Sequence, residues 1–540
     1  MLLEEPCIDA IIAIRQLTLM FGKLLIPCTP ARERKAIRGY IKCEQDVRKF
    51  DMEVSQKDLI NFRRMSNLLF RDVFTQMDRD IYYGELLPKH GPGSTADGLT
   101  SNGKYLMKTW TSRLEGIFPA HEYLIPNYHF TGDLDQVNIL EPGAEIPVKV
   151  ISVPKTLKTP RIIAMEPASM QYAQQALLRC FLSALKRDEL LSQMIGFDDQ
   201  FPNQELARQG SLNQETATLD LSDASDRVSN QLVREMVRQW PHLHKAVDAC
   251  RSRRAEVPDH GVIRLSKYAS MGSALCFPIE AMVFTTIIFL GIERELNMTM
   301  TRKDLLSFRD SVRIYGDDLI VPVDQVLSVV QELELFGARV GLDKSFWTGR
   351  FRESCGKEYF NGTDVSLVRV RQALPYTTAD VKEVIATVSL RNQLYEHGYW
   401  DTVRWLDKRL RKVLRYFPTV APTSSLLGRV SFLGYQTEKM HPFLHSPLVQ
   451  GYVVQAKAPN DELGDTGALL KCLLRLETAG STLRGDDSHI IQVPCYRSGL
   501  TPARVSSRVV LSPLGQDERH LVRSGRPKRV SIKLVWRTPF

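Results

Sequence analysis

The chain has 540 residues, 43% of them hydrophobic and 25% charged, enough for a large core and longer than one domain usually runs. A net charge of +9 and a pI near 9.0 favour a polyanionic partner, whether nucleic acid or an anionic membrane surface. With no internal repeat and no low-complexity tract, solenoid and linker architectures are disfavoured.

Nine scattered cysteines (Cys7, Cys28, Cys43, Cys180, Cys250, Cys276, Cys355, Cys472 and Cys495) form no C-x-x-C pair for zinc and no disulfide framework. They read as reduced thiols in a cytosol. The N-terminus opens with acids where an export signal would carry lysine or arginine, so no export is expected.

Residues 1 to about 90 are helix-rich and end in "PKHGPGSTADG", Pro88 to Gly98, a turn-forming segment that suits a domain joint or a functional loop. From Val148, "VKVISVP", "KTLKTPR" and "IIAM" predict two strands around a basic turn. A helix pattern follows from Ala168 to about Lys186.

Between Ala217 and Phe360 the pattern is strand, helix, hairpin, helix, hairpin, helix, strand, hairpin, an α+β core. Within it the longest apolar stretch, Met282 to Ile292, falls far short of the ~20 residues a membrane span needs and predicts a buried helix. Beyond about residue 375 the texture is largely helical. It includes an amphipathic basic helix near residues 403 to 417, with Leu406, Leu410, Val413, Leu414 and Phe417 on one face. From Asp517 the chain carries a basic tail, including Arg519, Arg523, Arg526, Lys528, Arg529, Lys533 and Arg537.

The sharpest signal is "SVRIYGDDLIVPV", Ser311 to Val323, where apolar residues alternate on both sides of Gly-Asp-Asp. This predicts a β-hairpin with Tyr315 and Gly316 entering the turn and Asp317 and Asp318 thrust out at its tip. Adjacent carboxylates repel and call for a cation. Two hard divalent ions on such acids can activate an attacking hydroxyl and stabilise a leaving oxygen in phosphoryl transfer.

A further acid is needed, and "ATLDLSDASDRVS" offers Asp220 at a strand end, with Asp226 six residues on. A plain solvated turn also favours Gly and Asp; the second acid-rich strand end separates the two readings. Lys155, Lys158 and Arg161 crowd one turn, where they could clamp a triphosphate or a template backbone. Ser270, Gly272 and Ser273 precede a helix in "YASMGSALCFPIEAMVF" and permit close approach of a backbone or base. Lys344, in "GLDKSF" behind the helix "QVLSVVQELELFG", is a candidate general acid for a pyrophosphate leaving group.

In order, these segments resemble the motif series of viral RNA-dependent RNA polymerases, and closely that of the RNA-directed RNA polymerase (replicase beta subunit) of levivirus-type positive-strand RNA bacteriophages. "VPKTLKTPRIIAMEP" looks like the fingers motif that contacts the incoming triphosphate, "ATLDLSDASDRVS" like motif A, "SMGS" like motif B and "IYGDDLIVP" like motif C. The segment to Lys344 looks like motif D, and "FRESCGKEYFNGTDV" like the hairpin after the palm. The match is firmest over roughly residues 148 to 370, and both ends are only loosely family-like. The family usually has asparagine where this chain has Ser273, which leaves open how Asp226 and Ser273 share sugar selection.

The resemblance implies a right hand whose palm is an antiparallel sheet flanked by helices. Its expected divisions are a fingers-associated region over 1–140, fingers over 141–215, palm over 216–366 with a 250–292 segment linking to the fingers, thumb over 367–480 and a basic extension over 481–540. It implies Mg²⁺, two ions with Mn²⁺ as a substitute, on Asp220, Asp317, Asp318 and the Leu221 carbonyl. Nucleotide contacts would come from Lys155, Lys158, Arg161, Asp226, Ser270, Gly272 and Ser273. Implied partners are an RNA template and product, nucleoside triphosphates, host elongation factors Tu and Ts and a ribosomal RNA-binding protein, in the cytoplasm of an infected bacterium. The rivals are a reverse transcriptase, against which the polar "LSDASD" argues, and a non-catalytic basic RNA-binding scaffold, which explains the charge but not the acids.

Overall fold

The structure is a computed structural model that describes residues 6–156, 158–457, 464–482, 490–492, 504–506 and 529–540. Two long helices dominate the N-terminal region. Helix α1 (Pro30–Glu53) starts with proline at a position where the missing N–H costs nothing, and α2 (Gln56–Tyr82) starts at Ser55, whose side chain accepts from the Asp58 N–H. Leu59, Phe62, Met65, Leu69, Val73 and Met77 recur at three- and four-residue spacing on α2 and are all buried.

The 88–98 segment is no domain joint. It is strapped to the core: Lys104 donates to the carbonyls of Gly91 and Gly93, the Asp97 carboxylate accepts from the Ala168 N–H at 3.2 Å, and half-buried His90 stacks on Tyr172.

Strands β1 (Val148–Val153) and β2 (Arg161–Met165) pair antiparallel, and α3 (Ala168–Arg187) follows, as the pattern predicts. Helix α4 (Phe201–Asn213) leads into β3 (Thr216–Asp220). The hairpin β4 (Arg254–Val257) and β5 (Gly261–Arg264) joins the first sheet by a parallel pairing of β1 with β4, giving the order β2-β1-β4-β5. A second sheet runs β3-β7-β6, where β6 is Arg313–Tyr315 and β7 is Asp318–Pro322. Its register sets Thr216 opposite Pro322 and Asp220 opposite Asp318.

Helix α5 (Cys276–Leu296) backs this second sheet. Every residue from Met282 to Ile292 is buried, and 89% of the most apolar window lies inside the protein, which marks a core helix, although it is long and apolar enough to cross a membrane. Helix α6 (Val326–Leu335) packs on α5 so closely that a Cβ on Gly291 would lie 2.7 Å from the Val329 Cα. After α6 the expected strand is reduced to two isolated bridges, Leu221 with Val340 and Thr218 with Phe346, because a 3-10 turn at Leu342–Lys344 interrupts it. The hairpin β8 (Phe351–Ser354) and β9 (Lys357–Phe360) forms as predicted.

Past residue 375 the structure departs from the helical expectation. Helices α7 (Val381–Glu396) and α8 (Trp400–Val413) are present, with Leu410, Leu414 and Phe417 buried against Val384 and Val388. Helix α8 stops four residues short of Phe417, the residue before Pro418 and so biased to extended backbone. Beyond it lies a sheet built on β10 (Pro447–Lys457), which pairs over most of its length with β11 (Arg529–Arg537). Arg529, Lys533 and Arg537, read as tail, thus belong to a strand; Arg519, Arg523, Arg526 and Lys528 lie outside the described residues. Helix α9 (Thr466–Thr482) returns Leu470 and Leu474 to the main core, which also takes residues from α2, α3, α5 and α6. The eight described cysteines are unpaired.

Gly291→Val would force α5 and α6 apart. We expect a loss of about 1–3 kcal/mol of unfolding free energy, read by urea denaturation; an unchanged midpoint would contradict this close approach.

Candidate active site

The three acids gather at one end of the β3-β7-β6 sheet. The interiors of β3 and β7 are buried (Ala217, Leu219, Leu319, Ile320 and Val321), so the strand pair is held rigidly from below and its polar ends emerge at the rim. Asp220 ends β3, Asp318 starts β7 directly across from it, and Gly316 and Asp317 are the two residues of the β6–β7 turn. Gly316 has φ +63°, and a Cβ there would fall 2.3 Å from the Phe277 ring, so both conformation and space require glycine. Tyr315 fixes the other arm by donating to the Phe197 carbonyl at 3.1 Å. Asp317 is exposed at the tip and Asp318 is half-buried.

The backbone of Asp220 is pinned by the segment after α6: its N–H donates to the Ser345 hydroxyl at 3.1 Å and its carbonyl accepts from Gly341 at 2.8 Å. The same segment brings Lys344 to 3.2 Å from both carboxylate oxygens of Asp220. The side chain of Leu221 is buried beside this bridge.

Burial first, and then the charge of Asp317, push the Asp318 carboxyl up to about 6. Asp220 is raised by burial, against the opposing pull of Lys344. Burial pushes Lys344 down, but the Asp220 charge and hydrogen bond outweigh it and hold the ammonium above its ordinary value. Lys155, on the β1–β2 turn, is lowered by desolvation, then by Arg161 and Lys344, while Asp317 and Asp220 oppose the shift, which puts it in the field of the acids. Lys158 is exposed on the same turn, and Arg161 opens β2 opposite Val153.

Among the described residues no three His, Cys, Asp or Glu side chains stand close enough to hold a metal ion as they are. Lys344 bridges the Asp220 oxygens instead. The donors available are all carboxylate oxygens, the chemistry that Mg²⁺ prefers, and the raised Asp318 carries a repulsion that a cation relieves.

Asp226 is held from behind. Lys267, with its side chain 0% exposed, sits 3.0 Å from an Asp226 oxygen and 3.4 Å from the centre of the Tyr40 ring. Burial alone would lower Lys267, but Asp226, Tyr40 and Glu44 together raise it. The Tyr40 hydroxyl is 2.8 Å from that of Ser270, so Ser270 is engaged within the protein. The close approach expected at Gly272 is made by the chain itself: with φ +134°, a Cβ there would meet the Ala164 carbonyl oxygen at 1.9 Å. Ser273 accepts from the Leu275 N–H at 3.3 Å at the entry to α5.

Sequence reasoning missed Lys267, Tyr40 and Glu280. Glu280 lies under the turn, where a Gly316 Cβ would come within 3.2 Å of its carboxylate, and burial, then Asp317 and Asp226, push it well above the carboxylate range. An acid inside the apolar run "FPIEAMVF" was the available signal.

An acid-tipped hairpin beside an acid-ended strand, faced by lysines, defines a site suited to polyphosphate chemistry. The chain belongs to the RNA replicase, beta-chain family, whose model matches residues 120–442. It is 35% identical over 258 residues to the RNA-directed RNA polymerase subunit beta of Qbeta virus (strain MX1), covering 47% of this chain and 40% of that one. It is 33% identical over 312 residues to the corresponding subunit of Enterobacteria phage SP, covering 58% and 49%. The matched stretch thus spans less than half the length of these relatives. Among solved structures the chain is similar to the RNA-dependent RNA polymerase of a human picobirnavirus, at 12% identity and a TM-score of 0.36, over 49% of this chain and 55% of that one.

Gly316→Ala should cost at least about 1–2 kcal/mol from the positive φ alone, with more from Phe277. Lys267→Met should cost about 3–5 kcal/mol by leaving Asp226 without its buried partner. Both are read by denaturant unfolding, and neutral effects would contradict the packing described.

Proposed function

We propose that the chain is an RNA-dependent RNA polymerase that replicates a positive-strand RNA phage genome by template-directed nucleotidyl transfer. The observation that carries this reading is the register that sets Asp220 opposite Asp318 with Asp317 at the adjoining turn, at the mouth of a site faced by Lys155 and Lys344. Membership of the replicase family supports it.

In this reading a 3′-hydroxyl attacks the α-phosphate of a templated nucleoside triphosphate; the new phosphodiester bond forms as the bond to pyrophosphate breaks. Two Mg²⁺ ions, or Mn²⁺ in their place, held by Asp220, Asp317, Asp318 and the Leu221 carbonyl, would activate the hydroxyl and stabilise the leaving oxygen. Lys155, Lys158 and Arg161 neutralise the triphosphate. Lys344 is freed from Asp220 once other cations balance the acids, and it then donates a proton to the pyrophosphate. Asp226, held by Lys267, receives the ribose 2′-hydroxyl, with Ser273 beside it. Positioning and electrostatics supply the rate.

The palm is then the 216–366 region with its 250–292 link to the fingers. The fingers take 141–215, with the region over 1–140 associated with them, and the thumb takes 367–480, followed by the 481–540 extension. Partners are RNA, nucleoside triphosphates and, by family likeness, host elongation factors Tu and Ts and a ribosomal RNA-binding protein in the infected bacterial cytoplasm.

The test is incorporation of labelled nucleoside triphosphates on an RNA template with Mg²⁺, with and without bacterial elongation factors. Asp317→Asn should lower incorporation by more than the ~10- to 100-fold that loss of an outer-shell partner costs, with unfolding unchanged. Incorporation retained in that variant would refute the site.

A further inference from the structure

Behind the Asp226–Lys267 pair lies a cavity of about 1170 Å³ that none of the residues assigned above lines. Seven arginines and lysines line it against three acids. The acids are already engaged: Glu235 pairs with Arg63 and Arg238, Asp248 with Arg253, and Asp51 accepts from the Ser229 hydroxyl. Arg251 spends its guanidinium on the carbonyls of Leu265, Lys267 and Tyr268. Arg234, Lys245 and Arg264 remain exposed, and they make no ion pair among the described residues.

We infer that this groove binds the phosphodiester backbone of single-stranded RNA at a second site, separate from the catalytic acids. With seven cationic side chains against three acids the lining keeps a positive surplus, Arg234, Lys245 and Arg264 among it focus a positive field on one concavity, and guanidinium groups match phosphate oxygens in pairs. The volume exceeds the roughly 300–1,000 Å³ typical of small-molecule pockets, as a stretch of chain would need. A protein partner is disfavoured because the lining offers only Pro241 and Leu265 as apolar residues, Leu265 is buried, and the buried core of a protein interface is predominantly apolar. Backbone contacts of this kind hold RNA without reading its sequence.

The groove also touches the catalytic side. Ser266 and Asn230 line it, the Asn230 N–H donates to the Ser266 carbonyl at 3.0 Å, and Lys267, the next residue, grips Asp226. RNA seated there lies one residue away from the loop that holds Asp226.

The inference takes RNA as the polyanion from the polymerase reading, but its test needs no nucleotide addition. Binding of a short labelled single-stranded RNA to the full chain is measured by fluorescence anisotropy across a salt series. Arg234→Glu, Lys245→Glu and Arg264→Glu combined should weaken binding at least about tenfold and reduce the slope of log affinity against log salt by about 2, three contacts at ~0.7 each. The neutral combination Arg234→Gln, Lys245→Gln and Arg264→Gln should move both in the same direction by less. A matched triple on exposed cations of α8 (Arg404→Glu, Lys408→Glu and Arg411→Glu) makes the same change in net charge and should have a much smaller effect. Equal effects of the two charge-reversed triples, or affinity and slope unchanged by the groove triple, overturn the proposal; the latter result points to an acidic protein surface instead. A chain that binds RNA through the groove yet adds no nucleotide even with elongation factors Tu and Ts and the ribosomal RNA-binding protein supplied would refute the polymerase reading and leave the groove standing.

Discussion

The strand register that brings three acids to one end of a buried strand pair is the constraint on which the site depends. The apolar interiors of β3 and β7 fix the register, and the register leaves Asp220 and Asp318 no choice but to face each other. Gly316 then turns the chain so tightly that Asp317 joins them. Such an arrangement favours a supply of positive charge: burial first, and the charge of Asp317 after it, push the Asp318 carboxyl up to about 6.

The surrounding architecture can be understood as the supply of that charge. The segment after α6 is tied to β3 through Gly341 and Ser345, which delivers Lys344 to both oxygens of Asp220. The β1–β2 turn delivers Lys155 from the other sheet, and Gly272 lets the loop before α5 lie directly on β2. Lys267 answers Asp226 from the interior. Each cation comes from a different stretch of the chain, and those stretches are held by two separate apolar clusters, the β1–β2 hairpin by one and the second sheet with α5 and α6 by the other.

Local signals were legible and distant ones were not. The Gly-Asp-Asp hairpin, the strand ending at Asp220, the basic turn and the buried helix at 282–292 all follow from periodicity or turn chemistry within a dozen residues. Lys267 looked like an ordinary loop lysine, because its partners Asp226 and Tyr40 are 41 and 227 residues away. The β10–β11 pairing failed to show for the same reason: "RVSIKLVWR" alternates as a strand should, but its basic residues and its distance from Pro447 made it read as a tail. The turn-forming residues at 88–98 suited a domain joint or a functional loop equally, and the partners of Lys104, Asp97 and His90 show the segment strapped to the core.

Whether Asp220, Asp317 and Asp318 act together as a cation-binding centre is read by Mn²⁺ titration of the full chain followed by electron paramagnetic resonance. RNA and a nucleoside triphosphate are present, and the wild type is compared with Asp220→Asn. The account predicts tight Mn²⁺ binding in the wild type that is lost or weakened at least about tenfold in the variant. Equal binding by both chains would contradict it.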